Sequence, residues 1–177
     1  MKKRITFLGV MFFLAIWHFA CIAQTQVTTF TMTSNGIVTT GNTDLQPIDN
    51  WASGSTGINN GSLYLRPPSS FGFVCGVKHK QNEKYISIKI QRIQVNSSIY
   101  GWAGAKLILS DVNHREVASK TQPKKERWWV INTNAIGSFH RFDFSSFRVP
   151  YLYDWERTAA DKAEVYLHSI TVYWTTL

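Results

Sequence analysis

Aromatic rings set beside hydrogen-bonding side chains recur in three stretches of this 177-residue chain. In "YLYDWER", Tyr153 and Trp155 flank Asp154, with Arg157 close behind. In the Gly- and Asn-rich stretch "GNTDLQPIDNWASGSTGINNG", Trp51 follows Asp49 and Asn50 and precedes Asn59 and Asn60. In "ERWWVI", Trp128 and Trp129 are adjacent, so on an extended strand they must face opposite sides. A flat π-surface packs against the C–H face of a sugar ring, while neighbouring Asn, Asp or Arg side chains fix the hydroxyls. The ligand-contacting candidates are therefore Trp155, Tyr153, Asp154, Arg157, Trp51 and one member of the tryptophan pair. Parity does not decide which member faces out; Trp129 stands for the pair. The competing role for each ring is core packing, and roughly two-thirds of the tryptophans are expected to be mostly buried.

Other chemistries have less to stand on. Asp44, Asp49 and Asp154 are the loop carboxylates suited to a structural Ca²⁺ ion, but no D-x-D-x-D run accompanies them. Asp44 and Asp49 are the metal candidates. His79, His114, His140 and His168 show no zinc-ligand spacing and read as surface or interstrand polar groups. There is no G-x-S-x-G elbow, Cys–His signature or phosphate-cradling Gly-rich loop. A glycosidase needs two carboxyls across a cleft. Asp143, Asp154, Glu156 and Asp161 contain such pairs only by coincidence of folding, so no catalytic residue and no cofactor are expected.

The N-terminus points to export. Met1–Arg4 is a short basic region, Ile5–Ala20 is almost unbroken apolar sequence, and Cys21-Ile22-Ala23 offers small residues at a cleavage site. Residues 1–23 are read as a cleaved signal peptide of bacterial style and 24–177 as one domain. The apolar run is short for a membrane span, and no span is expected after cleavage. Cys21 raises lipid modification as a minority alternative, because of the three lipobox positions before it only Ala20 fits. Three of the 19 cations, Lys2, Lys3 and Arg4, precede the cleavage site and all 11 acids follow it, so the mature domain carries +5. That charge fits an acidic partner or simple solubility. The basic stretches around Lys78–Lys84 and Lys120–Arg127 read as solvated hairpin ends, and export argues against nucleic acid. Cys75, the single mature cysteine, shares a strand face with Phe71, Phe73 and Val77 and is expected buried and inert.

Apolar residues recur with period two in short runs between Gly, Asn, Pro and Ser, which predicts eight to ten strands in a single antiparallel β-sandwich. The expected strands are 26–33, 37–40, 62–66, 71–77, 84–95, 103–110, 116–119, 127–132, 139–144 and 164–175. The stretch 41–61 is expected to be an irregular loop. One or two helical turns are expected within 155–162. Asp111–His114 reads as a hairpin turn. Two runs change parity midway. In "YISIKIQRIQV" the apolar face passes from Ile88 and Ile90 to Ile93 and Val95; in "EVYLHSITVYW" it passes from Val165 and Leu167 to Ile170, Val172 and Trp174. One extra residue does this, so bulges are expected near Gln91-Arg92 and His168-Ser169, the alternative being that both strands are central and buried on both faces near their middle. Both runs are expected to be long inner strands.

Three segments, "NGSLYLR", "FHRFDFSSF" and the closing "AEVYLHSITVYW", occur in an order that resembles the galactose-binding-like jelly rolls of exported carbohydrate-binding modules. The likeness spans most of Thr29–Trp174 as an ordering of patterns. It implies a jelly-roll sandwich that binds sugars through loops at one end, and in many members a structural Ca²⁺ ion. The expectation is an exported module that binds carbohydrate or a cell-surface glycan without catalysis. The alternative is a surface-structural or protein-interaction module that uses the same aromatics against another surface protein. A glycan binder should present a concave pocket with one or two rings beside Asn, Asp or Arg. An interaction module should present a flatter apolar patch of more than a few hundred Å².

Overall fold

The computed structural model describes residues 24–124, 126–150 and 163–177. Eleven strands run in order: β1 Gln26–Thr33, β2 Gly36–Gly41, β3 Leu45–Asn59, β4 Ser62–Lys78, β5 Tyr85–Ile86, β6 Ile88–Tyr100, β7 Ala103–Ser110, β8 Glu116–Thr121, β9 Trp128–Gly137, β10 His140–Arg148 and β11 Glu164–Thr176. There is no helix among the described residues. Every pairing is antiparallel.

The pairings form two layers. One runs β2-β1-β11-β6-β9 and the other β3-β4-β10-β7-β8, with short β5 beside the end of β4. The layers are joined because β4 changes partner along its length. Leu63–Leu65 pair with Leu167–Val165 of β11, whereas Ser69–Cys75 pair with β10. The change falls at Pro67-Pro68, which have no N–H to give to a ladder. Apolar side chains of both layers meet between them. Phe30 of β1 lies edge-on to Phe73 of β4, with centroids 5.0 Å apart, and Phe73 stacks on its register partner Phe142 at 4.9 Å. Cys75 is fully buried among them, and burial pushes its thiol pKa far up.

Both expected bulges are present. Against β6, strand β11 skips from Leu167 to Ser169, leaving His168 unpaired. Against β9 and β11, strand β6 skips from Ile90 to Arg92, leaving Gln91 unpaired. Each bulge returns the following apolar residues to the core face: Ile93 and Val95 on β6, and Ile170, Val172 and Trp174 on β11, are all buried. The Asp111–His114 turn also forms, with the Asp111 carboxylate accepting from the Asn113 and Arg115 N–H groups at 2.8 and 2.9 Å.

The stretch expected to be a loop is instead the edge strand β3, hydrogen-bonded along nearly all of β4. Its burial runs almost entirely exposed after Leu45, so it carries no apolar alternation to read. What holds it is backbone pairing, with register shifts at Ile48 and Gly54 and a tight turn at Asn60-Gly61, both in the left-handed region (φ 50° and 74°). The two runs 62–66 and 71–77 are one 17-residue strand. The helical turn expected within 155–162 lies outside the described residues.

Candidate functional site

The two layers expose outer faces of different character, and the bulge at His168 organises the first. On β11, Glu164 and Tyr166 point outward, and the bulge places His168 beyond them. Cross-strand register puts Tyr64 of β4 and Ser98 of β6 on either side of Tyr166, with Tyr100 opposite Glu164. The β3–β4 turn brings Asn59, Asn60 and Ser62 to the same place. Asn59, Asn60, Ser62, Tyr100, Glu164, Tyr166 and His168 line a cleft of about 300 Å³.

Its floor is fixed by the bulge residue. The His168 imidazole is held at Nδ1 by the Ser62 hydroxyl (2.6 Å) and at Nε2 by the Ser98 hydroxyl (2.9 Å). Burial, and then the charge of Arg127, push its pKa below the ordinary histidine value, which favours the neutral ring. A Ser–His pair invites comparison with an acyl-transfer dyad, but the group orienting this imidazole is a second hydroxyl and not a carboxylate. The arrangement serves as a clasp that ties β4, β6 and β11 together under the cleft.

The walls are aromatic. Tyr166 packs against Tyr64 at 5.4 Å and meets Tyr100 at 5.6 Å with their planes at 88°, so Tyr100 and Tyr166 form a right-angled corner. The Tyr100 side of the corner is open to solvent, at 56% exposure. Tyr166 donates its hydroxyl proton to Glu164 (3.1 Å) and accepts from the Asn59 amide (3.4 Å). Burial, and then the hydrogen bond and charge of Glu164, raise the Tyr166 pKa and keep it a donor.

The outer face of the second layer contains Trp51. Its indole crosses β4 at Gly72, where a Cβ would collide with the ring and come within 2.8 Å of the Asp143 carboxylate. The Arg141 guanidinium lies 3.9 Å from the indole centroid. Asp143, on the same strand as Arg141, accepts from its Nε at 2.8 Å and from its Nη2 at 3.2 Å, and His114 Nδ1 lies 3.3 Å from Nη1. Next to this cluster, Phe147 lies over Gly104 and Lys106 approaches Glu116 at 3.9 Å. Val74, Asp111, Val112, His114, Phe139 and Arg141 line a smaller hollow of about 220 Å³.

The sequence-based candidates are therefore dispersed. Trp51 lies on a strand and not in a loop, with its ring already engaged by Arg141. Trp129 is corrected: its ring is the inward member of the pair, 1% exposed, and its Nε1 donates to Ser97 at 2.9 Å inside the core. No ligand reaches it there. Trp128 is the outward ring, 53% exposed. Of the nearby lysines, Lys120 donates to the Val130 carbonyl and Lys124 lies over Trp102. Trp155, Tyr153, Asp154 and Arg157 lie outside the described residues. Asp44 and Asp49 are both exposed, at the β2–β3 turn and on β3. Among the described residues no three His, Cys, Asp or Glu side chains gather closely enough to hold an ion.

Sequence reasoning missed Tyr166, Glu164 and His168 as a site. They sit on a strand whose alternation reads as ordinary outward-facing positions, and only the parity change at His168 marked the spot.

No protein-family model matches the chain, and no curated protein sequence matches it. Among solved structures it is similar to a family 29 carbohydrate-binding module, at 11% identity and a TM-score of 0.48, over 85% of this chain and 89% of that one. It is also similar to CBM86, a low-affinity xylan-binding module from Roseburia intestinalis, at 11% identity and a TM-score of 0.47, over 84% of this chain and 94% of that one. A third similarity is to a family two carbohydrate esterase from Cellvibrio japonicus, at 15% identity and a TM-score of 0.46 over 86% of this chain. The chain spans 35% of that esterase's length.

Proposed function

We propose that the protein is an exported domain that holds a carbohydrate in the tyrosine cleft without transforming it. The observation that carries this reading is the right-angled corner of Tyr100 and Tyr166 beside Asn59, Asn60 and Glu164. One ring offers a flat face for sugar C–H groups. The amides, the carboxylate and the Tyr166 hydroxyl offer directional partners for hydroxyls. About 300 Å³ lies at the small end of the usual range for ligand pockets, roughly 300–1,000 Å³, which suits a short or terminal sugar more than a long bound chain. Export is supported by the basic, apolar and small-residue order of Met1–Ala23. The protein-interaction reading asks for one large apolar patch. The exposed large apolar side chains instead belong to many elements, including Val27, Val38, Ile58, Val117, Trp128 and Ile136, which favours the glycan reading.

The test is a glycan array probed with the purified protein and with Tyr100→Ala. Binding to at least one glycan, lost in the variant, is the expected result. Silence across neutral, acidic and amino glycans contradicts the proposal.

A further inference from the structure

The cleft has a charge as well as a shape. In a domain with an excess of cations, the one acid among the described residues lining the cleft is Glu164, set beside two aromatic rings with perpendicular planes. Among the described residues no Lys, Arg or His comes within 4 Å of that carboxylate; the ion pairs there are Lys106–Glu116 and Arg141–Asp143, both on the other face. Its described partner is the Tyr166 hydroxyl, which takes part of its hydrogen-bonding capacity; among the described residues no cation is paired with its charge. Ring faces attract cations through their quadrupole, most strongly when a cation sits within about 6 Å of the ring centroid. Tyr100 and Tyr166 meet with their planes at 88°, the Tyr100 ring being open to solvent, and Tyr64 packs against Tyr166.

Among the described residues, the remaining charged and titratable neighbours are not paired with Glu164. The ring of His168 is held by two serine hydroxyls. Arg127 lines the adjoining groove with Ser98 and Tyr100, and its Nε is donated to Asn96 at 3.0 Å. A carboxylate, two orthogonal rings and neighbouring amides together fit a ligand with an ammonium group next to hydroxyls. We propose that this cleft selects a sugar carrying a free, protonated amino group. The inference rests on the carbohydrate reading of the same cleft and adds its selectivity. Glu164 and the tyrosine corner take the ammonium, and Asn59 and Asn60 take adjacent hydroxyls.

The test is calorimetric titration at about pH 6, where a free amine is protonated and an ordinary carboxyl is ionised. The probes are short oligomers of glucosamine, of N-acetylglucosamine and of glucose. The glucosamine oligomer is expected to bind about tenfold or more tightly than the other two, and Glu164→Gln is expected to abolish that preference. The Gln side chain still accepts from Tyr166, so an unchanged thermal midpoint in the variant separates lost charge from lost fold. Equal binding of all three oligomers, or a preference that survives Glu164→Gln, overturns the amino-sugar inference and leaves the carbohydrate reading standing. If none of the three binds and a glycan array is also silent, both fall.

Discussion

The two outer faces of the sandwich each hold an aromatic ring beside a carboxylate, yet they differ in what the ring already touches. On the second layer, Trp51 lies over Gly72 with Arg141 on its π-surface, and Asp143 holds that guanidinium in place. The group of residues is complete in itself. On the first layer, Tyr100 and Tyr166 meet with their planes at 88°, and among the described residues Glu164 has a hydroxyl for a partner and no cation within 4 Å. An aromatic residue type is thus a poor guide to a binding platform. The guide is whether the protein has already supplied the cation and the stacking partner.

The comparison can be broken first at Trp51. If its cluster is structural, Trp51→Ala should cost about 2 kcal/mol of stability, less than a fully buried tryptophan because the ring is part-exposed, while glycan affinity changes by less than about twofold. Urea unfolding and titration of the same sample read both quantities, and the opposite pattern would reverse the roles of the two faces. Gly72→Ala should act in the same direction, at about 1–2 kcal/mol, because the new methyl meets the indole ring.

A pH series sharpens the contrast further. Burial lowers the pKa of both His140, in the core of the second layer, and His168, under the cleft. For His140 the carbonyls of Gly137 and Ile88 oppose that shift without cancelling it. A folded-state value below the unfolded one means that the unfolded chain binds protons first as pH falls. Stability should therefore be retained above the ordinary histidine value of about 6.5 and decline below it, by at most about 1.4 kcal/mol per pH unit for each histidine. His140→Gln should remove the larger share, since that ring is nearly inaccessible. A denaturation midpoint that holds steady between about pH 7 and pH 5 would contradict the assignment. The smallest effect belongs to Lys106–Glu116, a half-exposed pair at 3.9 Å: Glu116→Gln should change stability by less than about 1 kcal/mol, and less still in high salt.

How far the sequence could be read depended on which faces of each strand are apolar. Strands buried on one face declare themselves by alternation, and both parity changes located real bulges. β3 failed because an exposed edge strand is held by main-chain bonds, which leave no apolar signature. For the same reason "NWASG" read as a loop, and Trp51 was placed in the wrong setting. The tryptophan pair was undecidable because Trp128 and Trp129 have equally apolar neighbours of each parity; the Trp129–Ser97–Gln122 hydrogen bonds that settle it come from segments distant in sequence. The cleft was illegible for a related reason. Tyr64, Tyr100 and Tyr166 come from three strands, and antiparallel register alone brings them together.

The most direct test of the central claim is a paired titration of one bound oligosaccharide into the native protein, Tyr100→Ala and Trp51→Ala. The account predicts that Tyr100→Ala weakens binding about tenfold or more, a loss of roughly 1.4 kcal/mol, while Trp51→Ala binds as the native protein does. Loss of binding in Trp51→Ala with Tyr100→Ala unaffected would place the ligand on the opposite face and contradict it.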